Sequence, residues 1–202
     1  MILRARTILP ITQPPIDNGA VCIAGNRITA VVRWGDVLPQ SEEEVLDLGE
    51  RVLMPGLVNA HCHLDYTDMR GQIARPKSFP DWIKALLALK AHWTYTDYAQ
   101  SWLHGARMLL QRGVTTVGDI EAVPELLPVA WTSTPLRVVS FLEMTGVRAR
   151  RPAREILLET TDRIERLAHA RSSAALSPHA PYSTTPELLR TTAAAARRRN
   201  WR

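Results

Sequence analysis

The sequence predicts an α/β chain, with a small all-β unit first and then strands and helices in alternation to the end. Three observations carry this. The first fifty residues hold short apolar and β-branched runs, two of them joined by the hairpin signal Gly25-Asn26. From about residue 56, strand and helix alternate four times, and such alternation means parallel strands with crossover helices. Over 202 residues, 46% are hydrophobic and 22% charged, which is ordinary for a globular chain with one core, alone or with a small appendage.

Residues 2–9, 20–24 and 27–33 read as short strands. Residues 34–50 are polar, with the acidic run Glu42 to Glu44, and read as a loop with room for one more strand. An apolar strand follows near 56–61 in VLMPGLVNAHCH. Helical stretches cover 80–92 and 96–112, the latter with Thr96 as N-cap and Gly113 at its close. VTTVGDI at 114–120 is a β-branched strand. Residues 123–131 suit a short helix, 136–144 a strand, and 152–171 a periodic helix with Pro152 near its start. AALS at 174–177 is a short strand, and 186–199 is helical with Thr185 as cap and Pro186 in first position. Trp201 is placed to begin another strand. The alternation fits either an open doubly wound sheet or a (β/α) barrel. No Gly-x-Gly-x-x-Gly follows any strand, so a dinucleotide-binding fold gains no support.

The formal net charge is +5, yet no nucleic-acid partner is expected. Only Lys77, Lys84 and Lys90 are lysines, and the arginines are spread along the chain. The clusters Arg148 to Arg154 and Arg197 to Arg199 read as solvated helix ends, without the interleaved aromatics of a single-strand binder. No run of about 18 apolar residues predicts a membrane span. The N-terminus MILRARTILP lacks the pattern of a secretory signal, so the cytoplasm is the expected location. Cys22 and Cys62 make no disulfide framework.

His61 and His63 stand at the C-terminal end of the first parallel strand. Residues i and i+2 of a strand point to one face, so two imidazoles there can share one divalent metal of the kind that accepts nitrogen. Cys62 then faces away. In (β/α) barrels this end of the strands carries the active site. A bare His-x-His is weak evidence by itself, since such pairs also occur as surface or core residues.

The stretch PGLVNAHCHLD resembles the signature of the amidohydrolase superfamily. VNAHCHLDYTDMRGQI followed by FPDWI is similar to the branch holding cytosine, guanine and adenosine-type deaminases and triazine chlorohydrolases. RGVTTVGD resembles that branch's second barrel strand, and LSPHAPYSTTPELL its fourth strand and following loop. The resemblance runs the length of the chain. It implies a partial (β/α)8 TIM-type barrel, about the first four βα units, at 55–202. Residues 1–54 are then part of a small β-sandwich domain. It implies His61 and His63 as ligands of one divalent ion, zinc before iron. His179 in SPHAPYS then faces the substrate rather than the metal, with Pro178 and Pro181 stiffening its loop. The implied reaction is attack of a metal-activated water on an electron-poor ring carbon, with ammonia or halide leaving. AALSPH holds no lysine. This favours a mononuclear site over the cyclic-amide hydrolases, which carboxylate a lysine there.

Other residues carry less. Asp65 either orients a ligand or touches substrate, or is a solvated loop acid. Asp119 and Glu121 at the second strand end are candidates to line the pocket. Trp82 is expected to pack a helix over the barrel mouth rather than stack on a substrate ring. His92, His104 and His169 are expected to be structural or exposed. The resemblance also implies a general acid–base glutamate three residues after a histidine following the fifth strand. A further histidine and a metal-binding aspartate would come later still. None lies within residues 1–202, so the expectation is a fragment or truncated product with little catalysis of its own. Its open sheet edges would favour association. The alternatives are a half-barrel completed by another chain and a related chlorohydrolase or cyclic-amide hydrolase. A small-molecule substrate and a homodimer complete the expectations.

Overall fold

In the computed structural model, residues 1–38, 42–147, 151–167 and 171–201 are described. The chain divides into two compact units, Met1–Gly56 and Leu57–Arg202.

In the first unit, strand β1 (Ile2–Ile8) buries Ile2, Ala5 and Ile8. It pairs antiparallel with β2 (Ile16–Ala24), which pairs antiparallel with β3 (Arg27–Arg33). Gly25, at φ 58°, makes the tight turn between them, a conformation that glycine reaches without steric cost. Two short strands, β4 (Val45–Asp47) and β5 (Val52–Leu53), run parallel to β1. The loop segment 34–50 thus carries one strand, β4, with β5 just after it, and β2 begins at Ile16 rather than at residue 20. Asp17, Asn18 and Gly19 look like turn residues, but Thr7 pairs with Asp17 and Ala5 with Gly19. A small core of Ala5, Ile8 and Val21 results.

In the second unit, β6 (Leu57–Cys62), β7 (Val114–Glu121), β8 (Arg137–Met144) and β9 (Ser173–Pro178) form a parallel sheet in the order β6-β7-β8-β9. Each new strand is added beside the last. A doubly wound sheet reverses its strand order at a switch point, so this is the partial (β/α) barrel of the two candidate architectures. Between β6 and β7 come a 3₁₀ turn (Leu64–Met69), helix α1 (Phe79–Lys90) and helix α2 (Tyr95–Gln111). Helix α3 (Leu127–Thr132) and α4 (Ala153–Arg166) complete the crossovers, and α5 (Pro186–Arg199) follows β9. Trp102, Trp131, Leu127, Val117 and Val138 lie fully buried in the core between sheet and helices.

Helix ends follow side-chain chemistry. Thr185 caps α5 as expected, accepting the Leu188 N–H at 3.2 Å. The cap of α2 is Thr94, not Thr96. Thr94 Oγ1 accepts the Asp97 N–H at 3.3 Å, and Asp97 Oδ2 accepts the Thr94 N–H at 2.7 Å, a reciprocal capping box. Among the described residues, Trp201 closes α5 rather than lying in a strand. Asn200 turns left-handed at φ 52°, and the Trp201 N–H donates to Ala196 O at 2.9 Å, which closes α5 as a Schellman motif. Glycine matters where elements touch. At Gly118 a Cβ would stand 2.7 Å from Ala60 O on the neighbouring β6. At Gly105 it would run into Thr67 and press on Leu64 at 3.1 Å, so α2 can sit directly on the 3₁₀ turn. Among the described residues, no helix is long and apolar enough to cross a membrane.

Candidate active site

The sheet register brings the four C-terminal strand ends to one rim. Cys62 stands beside Asp119, Glu121 beside Leu142, and Glu143 beside Ser177. The chain leaves β9 with the His179 N–H donating to Met144 O at 3.0 Å. A cavity of about 590 Å³ opens at this rim. His63, Glu143 and His179 face it from the strand ends, and Trp82, Ile83 and Leu86 of α1 give it an apolar wall. Trp82 therefore lines the cavity with the helix it packs.

The rings of His61 and His63 are 5.4 Å apart between centroids, at 75° to one another. His61 is exposed and His63 half-buried. Burial, then the neighbouring His61, His179 and Lys90, push the His63 imidazole down to about 4, so it is neutral at pH 7. Its ring lies flat against Tyr66, 5.0 Å between centroids and 9° from parallel. The Lys90 ammonium, in the last turn of α1, donates to the Tyr66 hydroxyl at 2.5 Å. Burial holds that phenol well above its ordinary range. Cys62 faces away as expected and packs against the core, where burial raises its thiol.

His179 Nδ1 lies 2.6 Å from Ser183 Oγ, and Ser183 Oγ also donates to Ala180 O at 3.2 Å. Tyr182 meets His179 edge-on at 5.7 Å and continues to Phe79 at 5.6 Å, which in turn meets Trp82 at 5.7 Å. An aromatic rim thus runs from the β9 loop to α1.

Three acids lie below this rim. Asp65 is 1% exposed, so it is not the solvated loop acid that the sequence allowed. Neither of its oxygens has a hydrogen-bond partner among the described residues, and burial followed by Asp119 pushes it up to about 8. Asp119 does not line the cavity. It is fully buried, and its oxygens accept the Leu64 N–H and the Trp102 indole N–H, each at 2.9 Å. Burial pushes it up to about 7 against the pull of those two donors. Glu121 is likewise buried under the rim. Its Oε1 accepts the Val123 N–H at 2.6 Å, and burial and then Asp119 raise its pKa. Elsewhere, exposed His104 bonds to Asp68 and His92 is exposed, while His169 falls outside the described residues.

The structure brings His61, His63 and His179 to one rim and adds Tyr66, Lys90, Glu143 and Ser183, which the sequence reading did not single out. Glu143 had a signal: it continues the Val139, Phe141 alternation to the strand end. Tyr66 and Ser183 lie three and four residues past a candidate histidine, in turns whose course sequence periodicity does not give. Among the described residues, no three His, Cys, Asp or Glu side chains gather where they would hold an ion.

The sequence profile of the amidohydrolase family matches residues 52–202. The chain belongs to the amidohydrolase family. Among its amidohydrolase-family relatives is a 5-methylthioadenosine/S-adenosylhomocysteine deaminase of Symbiobacterium thermophilum. The two are 27% identical over 195 residues, 94% of this chain and 44% of the relative. A 5'-deoxyadenosine deaminase of Methanococcus vannielii is 26% identical, over 80% of this chain and 39% of its own length. The fold matches the crystal structure of atrazine chlorohydrolase from Arthrobacter aurescens, solved with zinc. The TM-score is 0.81 at 20% identity, over 98% of this chain and 51% of that one. This amidohydrolase-family chain thus spans about half the length of the proteins it matches or less.

Proposed function

We propose that the chain carries part of the site of a metal-dependent aminohydrolase that releases ammonia from a purine- or pyrimidine-like ring. The supporting observation is the pair His61 and His63 at a strand end beside a cavity that His179 also faces. Zinc–nitrogen distances of about 2.0–2.1 Å, at a tetrahedral angle, set two ligating imidazole centres about 5 Å apart. The 5.4 Å between His61 and His63 fits that spacing. A metal ligand must be a neutral imidazole, which is the form that His63 keeps. These residues therefore fit one divalent ion, zinc or iron.

When bound, the ion supplies a polarised, readily deprotonated water. The chain's own residues do the rest of what lies within 1–202. His179, braced by Ser183, presents its free ring edge to a heteroatom of the substrate. The apolar wall of Trp82, Ile83 and Leu86 excludes water and packs a flat ring or its apolar substituent. Both relatives named above are deaminases of adenosine derivatives, which supports an adenosine-type substrate for the whole protein.

Metal analysis after dialysis, combined with an ammonia assay on adenosine derivatives using the full-length protein, tests this. The expected result is about one zinc or iron per chain and ammonia release, both lost in His61→Ala and His63→Ala. Metal-free protein that still releases ammonia, or chloride released from chlorotriazines with no ammonia from adenosine derivatives, would overturn it.

A further inference from the structure

Tyr66 and Lys90 meet beside His63 in a way that the reaction outlined above does not use. The phenol lies flat on the imidazole, 9° from parallel. Turning the imidazole about its Cβ–Cγ bond would drive a ring edge into the phenol face, so the stack fixes the plane in which His63 offers its nitrogens. A stacked ring that can itself swing fixes little. Here the far end of Tyr66 is tied down, because the Lys90 ammonium donates to its hydroxyl at 2.5 Å and stands 4.7 Å from its ring centroid. Among the described residues, Lys90 makes no salt bridge to a carboxylate. Its ammonium sits against the phenol, and its charge also reaches His63 and Asp65. Three separate elements meet in this stack: the end of β6, the 3₁₀ turn and the last turn of α1.

We propose that Tyr66 is a positioning residue that holds the His63 ring for metal binding, and that Lys90 locks Tyr66 in place. This rests on the reading of His63 as a ligand. Partners of this kind ordinarily orient a ligand through a hydrogen bond. Here an aromatic face does it, and the hydrogen bond is one step further out.

The test is zinc affinity of the full chain, by competition with a chromophoric chelator, beside thermal unfolding and the visible spectrum of the cobalt(II) form. Tyr66→Leu and Tyr66→Met lose the flat face and are expected to bind zinc about 10–100-fold more weakly, the usual cost of losing such support. Tyr66→Phe keeps the face and the ammonium over it but loses the hydroxyl that Lys90 ties, so it should fall between wild type and Tyr66→Leu. Lys90→Met loses both contacts and should bind more weakly than Tyr66→Phe. The cobalt spectrum should change most in Tyr66→Leu and Tyr66→Met and less in Tyr66→Phe. A merely structural role would move the unfolding temperature and leave affinity and spectrum unchanged. Zinc bound equally by wild type and by whichever of Tyr66→Leu and Tyr66→Met folds would overturn the positioning role alone. Wild-type zinc affinity unchanged by His63→Ala would overturn the ligand reading and this inference with it.

Discussion

Glu121 shows how one carboxyl can be tested cleanly. Its Oε1 is occupied by the Val123 N–H, while Oε2 has no partner among the described residues. Burial raises its pKa in the folded chain above the unfolded value. For an acid raised in this way, the stability it contributes is full below the unfolded pKa. That stability is lost as pH rises through the folded pKa, because only the unfolded chain has released the proton. Glu121→Gln keeps the Oε1 acceptor and cannot ionise. In urea titrations, variant and wild type should agree within about 1 kcal/mol at pH 4, and the variant should become progressively the more stable as pH rises above the ordinary carboxyl value of 4.5. A wild type equal to the variant at pH 8 would show that Glu121 ionises freely. Ser183→Ala tests the other braced side chain. With His179 Nδ1 unpartnered, KM for the substrate should rise several-fold, by about the 0.5–1.5 kcal/mol that a net hydrogen bond contributes. An unchanged KM would detach His179 from substrate binding.

At the scale of elements, α2 is held against the 3₁₀ turn by its smallest residue and its largest. Gly105 leaves room for Thr67 and Leu64, and fully buried Trp102 donates its indole N–H to Asp119. Gly105→Ala should destabilise the chain by about 1–3 kcal/mol through overpacking, despite alanine's better helix propensity. Urea unfolding measures this, and a stabilised variant would mean that helix and turn separate easily. The same contact explains what the sequence could and could not reveal. The strand periods, the Gly25-Asn26 turn, the Thr185 cap and the His-x-His at a strand end are local patterns, and local patterns can be read from neighbours in sequence. The choice of Thr94 over Thr96 was also local, since Asp97 lies three residues after Thr94, but two threonines competed for the role. The burial of Asp65 and Asp119 was not local. It depends on α2 covering the turn with Trp102, a residue 37 positions beyond Asp65. The Tyr66 stack likewise needs Lys90 from the far end of α1.

At the scale of the molecule, the parallel sheet ends in β6 on one side and β9 on the other, and among the described strands each has one neighbour. On β6, Leu57 is 50% and Val58 67% exposed, and Ala60 and His61 are exposed beside them. An edge with free N–H and C=O groups and apolar side chains is a template for pairing with another chain, and natural edges blunt it with charge, proline or a bulge. The arginines that supply the +5 charge include none within β6. The 202-residue chain is therefore expected to self-associate as concentration rises, with a weight-average mass in sedimentation equilibrium above the 22.6 kDa of one chain. Val58→Lys places a charge on that strand and should return the mass toward one chain while leaving the fold intact, since Val58 is mostly exposed. If the lysine variant associates as strongly as wild type, β6 is not the contact, and the opposite edge at β9 becomes the segment to charge next.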